Sequence, residues 1–221
     1  MKLLFGAVLK FLIGLLLVGV VLFVPAGSLA YPNGWLFIGL LFVPILALGV
    51  VLYIKAPALL EKRLAAREDT GAQKAVVGIS GLLFISGFVI AGLDFRYDWS
   101  EVPVWAVILA SVVLLISYGL YAEVMRENAY LSRRVEIQEN QIVVDTGIYK
   151  IVRHPMYAVT IWLFLSIPLV LGSFVALLFF LPYIPLIVVR IINEEKLLLN
   201  GLDGYAEYKK RVKYRLLPFV W

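Results

Sequence analysis

His154 is the only histidine in a chain of 221 residues, and it stands between Arg153 and Pro155 at the mouth of an apolar segment. It belongs to the run GIYKIVRHPMYAVTI, from Gly147 to Ile161. Beyond the next apolar segment comes a second polar group: Arg190, Glu194 and Glu195. Ionisable residues in or beside apolar spans cost several kcal/mol unless they are paired or wetted, so both groups mark a site by default.

Their types suggest what that site could do. Pro at a first helical turn gives up no hydrogen bond and presets the backbone, so a helix is predicted to begin at Pro155. Its free N–H groups, with Arg153 and His154, make an anion-friendly rim. Tyr149 and Tyr157 add aromatic faces able to hold a cation or stack on a base. Arg190 and Glu194 are four apart and share a helix face, whereas Glu195 points about 100° away. Two readings of that group stand side by side. One is an i,i+4 ion pair at a helix end, worth a few tenths of a kcal/mol. The other is a polar pocket, with Glu194 or Glu195 meeting the amine or ribose of a nucleotide-like ligand and Arg190 guiding an anionic headgroup. His154 alone reads equally as a structural residue. With no cysteine and one histidine, no metal site is expected, and disulfides, thiol nucleophiles and lipidated cysteines are excluded.

The elements that must position these residues are membrane spans. Hydrophobic residues make up 62% of the chain and charged ones 16%, against about 25% charged in soluble domains, and the mean hydropathy is +0.95. Apolar runs near 20 residues mark bilayer-crossing helices. Four are Leu3–Val24 (interrupted by Lys10), Trp35–Ile54, Ala75–Leu93 and Val102–Ala122. Two more, Met156–Leu171 and Phe174–Ile192, are separated by Gly172 and Ser173 and form a predicted helix–turn–helix hairpin. Pro168 bends the first of these, and Pro182 and Pro185 bend or break the second. Such a break either faces a wet cavity or is a plain proline kink. The expectation is an all-α polytopic bundle of about six transmembrane helices: one integral membrane domain over 1–221, with four spans in 1–122 and the ligand-binding region, two spans and a basic tail in 123–221.

With six spans, 19 of the 20 Lys and Arg residues fall on one side and only Arg96 on the other. The positive-inside rule then puts both termini and both polar groups in the cytoplasm. Pro25–Ala30 followed by Tyr31 has the small residues of a signal-cleavage site, but the preceding run is long and its removal conflicts with the charge pattern. No internal repeat is evident. Residues 123–141 mix charge with Val124, Tyr130, Leu131, Val135 and Ile137, as an interfacial helix does. Residues 142–148 read as an extended stretch turning at Gly147. The basic tail 203–221 offers Tyr205, Tyr208, Val212 and Trp221 as interfacial anchors. Such a basic face meets anionic lipid, and nucleic acid is not an expected partner. Gly87 and Ala91 allow close helix packing, and oligomeric state is open.

Arg153-His-Pro-Met-Tyr157 preceded by Tyr149, then Arg190-x-x-x-Glu194-Glu195, then Gly204-Tyr205-x-x-Tyr208 with Val212 and Pro218, resembles the isoprenylcysteine carboxyl methyltransferase family, which includes relatives of the phospholipid N-methyltransferases. The resemblance is strongest over about 140–218. It implies a membrane enzyme that binds S-adenosylmethionine at the cytoplasmic end of its last helices and takes a lipophilic or lipidated substrate from the bilayer. By position in the motif, Tyr149, Val152, Arg153, His154, Pro155, Tyr157, Glu194 and Glu195 contact the cofactor, Tyr205 and Tyr208 help close the pocket, and Arg190 faces substrate. Arg190 and Glu194 are the implied catalytic pair, with Glu194 or Glu195 a candidate base if the acceptor is an amine or thiol. Ile148 and Val159 depart from the family's usual proline and glycine, which bears on the substrate side. No G-x-G fingerprint of a soluble nucleotide-binding fold occurs. Two alternatives remain: an NADPH-dependent membrane reductase of the sterol type, against which Met156 and Ala158-Val-Thr160 weigh, and a non-enzymatic membrane protein.

Overall fold

In the computed structural model the described residues are 2–55, 57, 60, 61, 64, 71–131 and 136–221, with side chains described for all of these except residue 2 and residues 71–76. The basic residues Lys62, Arg63, Arg67, Arg133 and Arg134, which the charge pattern uses, lie outside them. The helices are α1 (Lys2–Ala26), α2 (Pro32–Lys55), α3 (Gly71–Tyr97), α4 (Val104–Glu127), α5 (Pro155–Val170), α6 (Phe174–Phe180), α7 (Tyr183–Gly201) and α8 (Tyr205–Arg211), with a 3₁₀ turn at Gly147–Lys150. Among the described residues five stretches are long and apolar enough to cross a membrane, the last being Phe174–Gly201 taken through the α6–α7 break, and α5 is a shorter apolar helix. Each of the six predicted spans thus has its counterpart in a polytopic helical membrane protein.

Proline positions explain the helix limits. Pro155 occupies the first turn of α5, where its missing N–H costs nothing. The predicted break in the sixth span falls between α6 and α7, where Pro182 is the N-cap of α7. Pro185 sits within the first turn of α7, among N–H groups that have no helical partner anyway, and leaves the helix whole. Pro168 lies inside α5 without ending it.

Three connections meet at the end of the bundle away from His154. The Tyr31 hydroxyl donates to the Leu171 carbonyl at 2.5 Å. Asp94, 1% exposed, accepts from the Ser100 amide at 2.7 Å and the Ser100 hydroxyl at 2.6 Å, and from the Ser173 hydroxyl. Ser173 also caps α6 by accepting from Ala176 N at 2.9 Å. A buried carboxylate is tolerable only when so satisfied, and this one ties the turn after α3 to the α5–α6 turn. The core between the ends is built from Leu22, Phe37, Ala91, Leu114, Ile167 and Phe180. Its close approaches use glycine: a Cβ at Gly92 would lie 2.5 Å from the Leu22 carbonyl of α1, and one at Gly87 2.3 Å from the Phe180 ring of α6.

One expected element is absent from the described residues. α4 runs on to Glu127 and stops at Asn128, which is extended, and the described residues between it and the 3₁₀ turn contain no helix. Side-chain amides divert the backbone there. Asn128 accepts from Tyr130 N at 3.0 Å, Gln138 donates to the Tyr130 carbonyl at 2.6 Å, and Gln141 accepts from Gln138 N at 2.8 Å. Such local bonds compete with helix formation. Residues 132–135 of that expected interfacial helix lie outside the described ones.

Candidate functional site

The N-terminus of α5, the C-terminal half of α7, α8 and the 3₁₀ turn converge at one end of the bundle. Gly204, at φ +80, makes the left-handed step from α7 into α8, a conformation other residues adopt only with strain. That step folds Tyr205 and Tyr208 back onto the 3₁₀ turn, where the Tyr208 hydroxyl donates to the Tyr149 carbonyl at 2.8 Å. Asn128, at the end of α4, donates to the Tyr149 hydroxyl at 3.0 Å.

The two carboxylates of α7 share His154, whose Nδ1 lies 3.9 Å from Glu194 and Nε2 3.3 Å from Glu195, but otherwise take different partners. Glu195 is 3% exposed and gathers basic side chains: Arg153 Nε at 2.8 Å, His154 Nε2 at 3.3 Å, Arg215 Nη2 at 3.1 Å and Lys209 Nζ at 3.4 Å. Charges so deeply buried need geometry of this quality to offset desolvation. Glu194 turns instead to Tyr157, whose hydroxyl donates to it at 2.5 Å and accepts from Arg190 Nε at 2.9 Å. The Arg190 guanidinium also lies 5.9 Å from the centre of the Tyr157 ring. A single phenol therefore bridges the cation and the carboxylate that the sequence places four residues apart.

A cleft opens beside these groups, with an empty volume of about 820 Å³ counted to its open mouth. Its walls include Tyr149, Arg153, His154, Pro155, Tyr157, Glu194, Tyr205 and Tyr208 of the expected residues, and Asn128, Glu136 and Met156 besides. Val152, Arg190 and Glu195 are buried but are not among its lining residues. Val152 pairs with Tyr214 in an isolated bridge, Arg190 approaches through Tyr157, and Glu195 stands behind Arg153 and His154. Among the described residues the buried Tyr205 hydroxyl has no hydrogen-bond partner.

Burial governs the ionisation of the phenols in this wall. Burial pushes the Tyr149 hydroxyl up to about 12 against the lowering effect of the Asn128 hydrogen bond. Tyr205 and Tyr208 are raised by burial first, then by the charges of Glu195 and Tyr149 respectively.

Three contributors escaped the sequence reading. Asn128 falls at a helix end with no flanking signal, and Lys209 and Arg215 belong to a basic tail that reads as lipid-facing. The tail's expected anchors Tyr205, Tyr208 and Val212 are likewise buried, because they pack on Leu198 and Leu202 of α7 and its end.

The family model of the isoprenylcysteine carboxyl methyltransferases matches residues 106–200. The match runs from the first turn of α4 to the end of α7, taking in Asn128, Tyr149, His154, Arg190 and both glutamates, and it stops before Tyr205 and Tyr208. No curated protein matches the chain.

Proposed function

We propose that this chain, assigned to the isoprenylcysteine carboxyl methyltransferase family by residues 106–200, is an S-adenosylmethionine-dependent methyltransferase acting on a lipophilic acceptor at the membrane surface. The observation that carries the reading is the Arg190–Tyr157–Glu194 chain at the wall of an aromatic cleft.

The residues present fit that cofactor. Arg153 and His154 face the cleft, and Glu195 behind them offsets the charge of Arg153 and contacts the His154 ring. Glu194, whose side chain is 25% exposed, then leaves the lining favourable to a cation. Tyr149 and Tyr157 add π-faces suited to one, and the partnerless Tyr205 hydroxyl awaits a polar group. Tyr149, Val152, Arg153, His154, Pro155, Tyr157, Glu194, Glu195, Tyr205 and Tyr208 are the proposed cofactor-binding set, with Val152 and Glu195 acting from behind the lining. S-adenosylmethionine supplies, when bound, an electrophilic methyl on a sulfonium sulfur.

Arg190 and Glu194 are the proposed acceptor-side pair. Arg190 reaches the cleft only through Tyr157, so an anionic acceptor group meets its guanidinium from the bilayer side of that ring. For a prenyl-cysteine-type carboxylate no base is needed, and Arg190 orients the nucleophile. For an amine or thiol, Glu194 takes the proton. Holding the reacting atoms in line is worth roughly 7–11 kcal/mol, and the buried phenols exclude competing water. The orientation of the cleft toward the cytoplasm belongs to the same proposal and rests on the charge pattern.

Titration with S-adenosylmethionine in detergent tests the reading. Micromolar binding is expected, reduced at least tenfold by His154→Ala and by Glu195→Gln. Labelled-methyl transfer to a panel of prenyl-cysteines and lipids then identifies the acceptor. Binding of NADPH alone would overturn the methyltransferase in favour of the reductase.

A further inference from the structure

Residues 212–221 are fastened to the cleft wall by backbone and bare on their outer side. The Arg153 and His154 amides donate to the carbonyls of Tyr214 and Arg215, each at 2.9 Å. Arg153 Nη1 donates to the Val212 carbonyl at 2.6 Å and the Lys213 carbonyl at 2.9 Å. Leu216 is buried against Tyr157, Ile187 and Ile191 of α5 and α7, and Trp221 packs on the same cluster. The segment thus lies level with the first turn of α5 and the first half of α7.

Between those two attachments the side chains point away. Leu217, Phe219 and Val220 are 41%, 88% and 76% exposed. Phe219 also has φ +65, a left-handed conformation that is a genuine outlier for a bulky residue. The other described non-glycine residues with positive φ are Asp98 and Asn140, types that tolerate it. The turn is closed by Val220 N and Trp221 N, both donating to the Leu217 carbonyl, and among the described residues the ring neighbour of Phe219 is Tyr214, at 5.2 Å. Strain that presents an apolar ring to the outside points to a function for that ring. Lys210 and Lys213 are exposed nearby, Arg211 is paired with Asp145, and the acids close in sequence are Asp203 and Glu207.

We infer that this segment is a lipid-responsive strap. Leu217, Phe219 and Val220 enter the interface of the bilayer that holds the helices, and Lys210 and Lys213 meet its anionic headgroups. That engagement holds residues 212–215 on Arg153 and His154, so anionic lipid stiffens the wall of the cleft. Basic segments beside spans are drawn to anionic leaflets, and apolar side chains flanked by lysine suit that boundary. A second copy of the chain would instead set basic segment against basic segment.

The chain has no cysteine, so Val220→Cys gives one thiol for an environment-sensitive dye. The full chain is placed in nanodiscs of phosphatidylcholine alone or with roughly a third phosphatidylglycerol, the anionic component. The dye should blue-shift and be quenched by brominated acyl chains, more strongly with phosphatidylglycerol, and Lys210→Gln with Lys213→Gln should abolish that increment. Hydrogen exchange at the Arg153 and His154 amides of the unlabelled chain should slow several-fold with phosphatidylglycerol. Leu217→Ser with Phe219→Ser should remove the slowing; if that pair fails to fold, the lysine pair carries the same comparison. Neither readout needs bound cofactor. A dye that stays in water in both discs, exchange indifferent to phosphatidylglycerol, or thiol cross-links between chains in place of lipid quenching would overturn the strap.

Discussion

Tyr205 separates a binding role from a structural one. Its hydroxyl is buried without a partner among the described residues, a state that costs about 1–3 kcal/mol. Tyr205→Phe is therefore expected to leave the melting temperature unchanged or raised, while weakening S-adenosylmethionine roughly 2–10-fold, the worth of one hydrogen bond. Calorimetry of both quantities on one sample checks it, and a destabilised variant with unchanged affinity sinks it. Tyr208→Phe should instead lower the melting temperature, since that hydroxyl holds the Tyr149 carbonyl. The phenols also set an alkaline limit. Tyr149 titrates near 12 in the folded chain, above the value of about 10 in an unfolded one. A raised folded value means its contribution is complete below pH about 10 and is lost as pH climbs toward 12. Tyrosinate absorbance should show this class ionising together with loss of helical circular dichroism, after the exposed tyrosines. Legibility at this scale followed the chemistry. His154, Tyr157, Arg190 and Glu194 stand out because polar residues are rare in this composition. Arg215 and Lys209 do not, because a cation aimed at a carboxylate and one aimed at lipid look alike in sequence.

Helices α1 and α3 cross where glycine replaces a side chain, and the elements can be probed there. A Cβ at Gly92 would press on the Leu22 carbonyl at 2.5 Å and on Ala26 N at 3.0 Å, and backbone cannot yield as a flexible side chain does. Gly92→Ala should cost about 1–3 kcal/mol by overpacking. Gly78 and Gly81 of the same helix have nothing within 4 Å, so alanine there should be neutral or stabilise by up to about 1 kcal/mol. Unfolding in detergent by a graded denaturant distinguishes them, and equal effects would refute this account of the crossing. The spans were legible because length and apolarity suffice to define them, and the α6–α7 break because Pro182 has no other place to sit. The stretch after Glu127 was not. Its mixed composition matches an interfacial helix, yet Asn128, Gln138 and Gln141 spend their amides on local backbone, a choice that periodicity does not encode.

At the scale of the molecule, two chemically different ends face one another across the spans. One carries the Asp94–Ser100–Ser173 knot and Arg96; the other carries the cleft, the strap and most of the remaining Lys and Arg. For a bundle with this asymmetry the positive-inside rule predicts one orientation, with the cleft in the cytoplasm. The absence of cysteine makes that directly measurable. Glu207→Cys, on the exposed side of α8, and Glu101→Cys, in the exposed turn before α4, each add a single thiol far from the packed core. In intact cells a membrane-impermeant maleimide should label Glu101→Cys at once and Glu207→Cys only after permeabilisation. The reverse pattern would put the cleft on the outer face, away from the cytoplasmic pool of a nucleoside cofactor, and would remove the proposed methyl donor together with the topology.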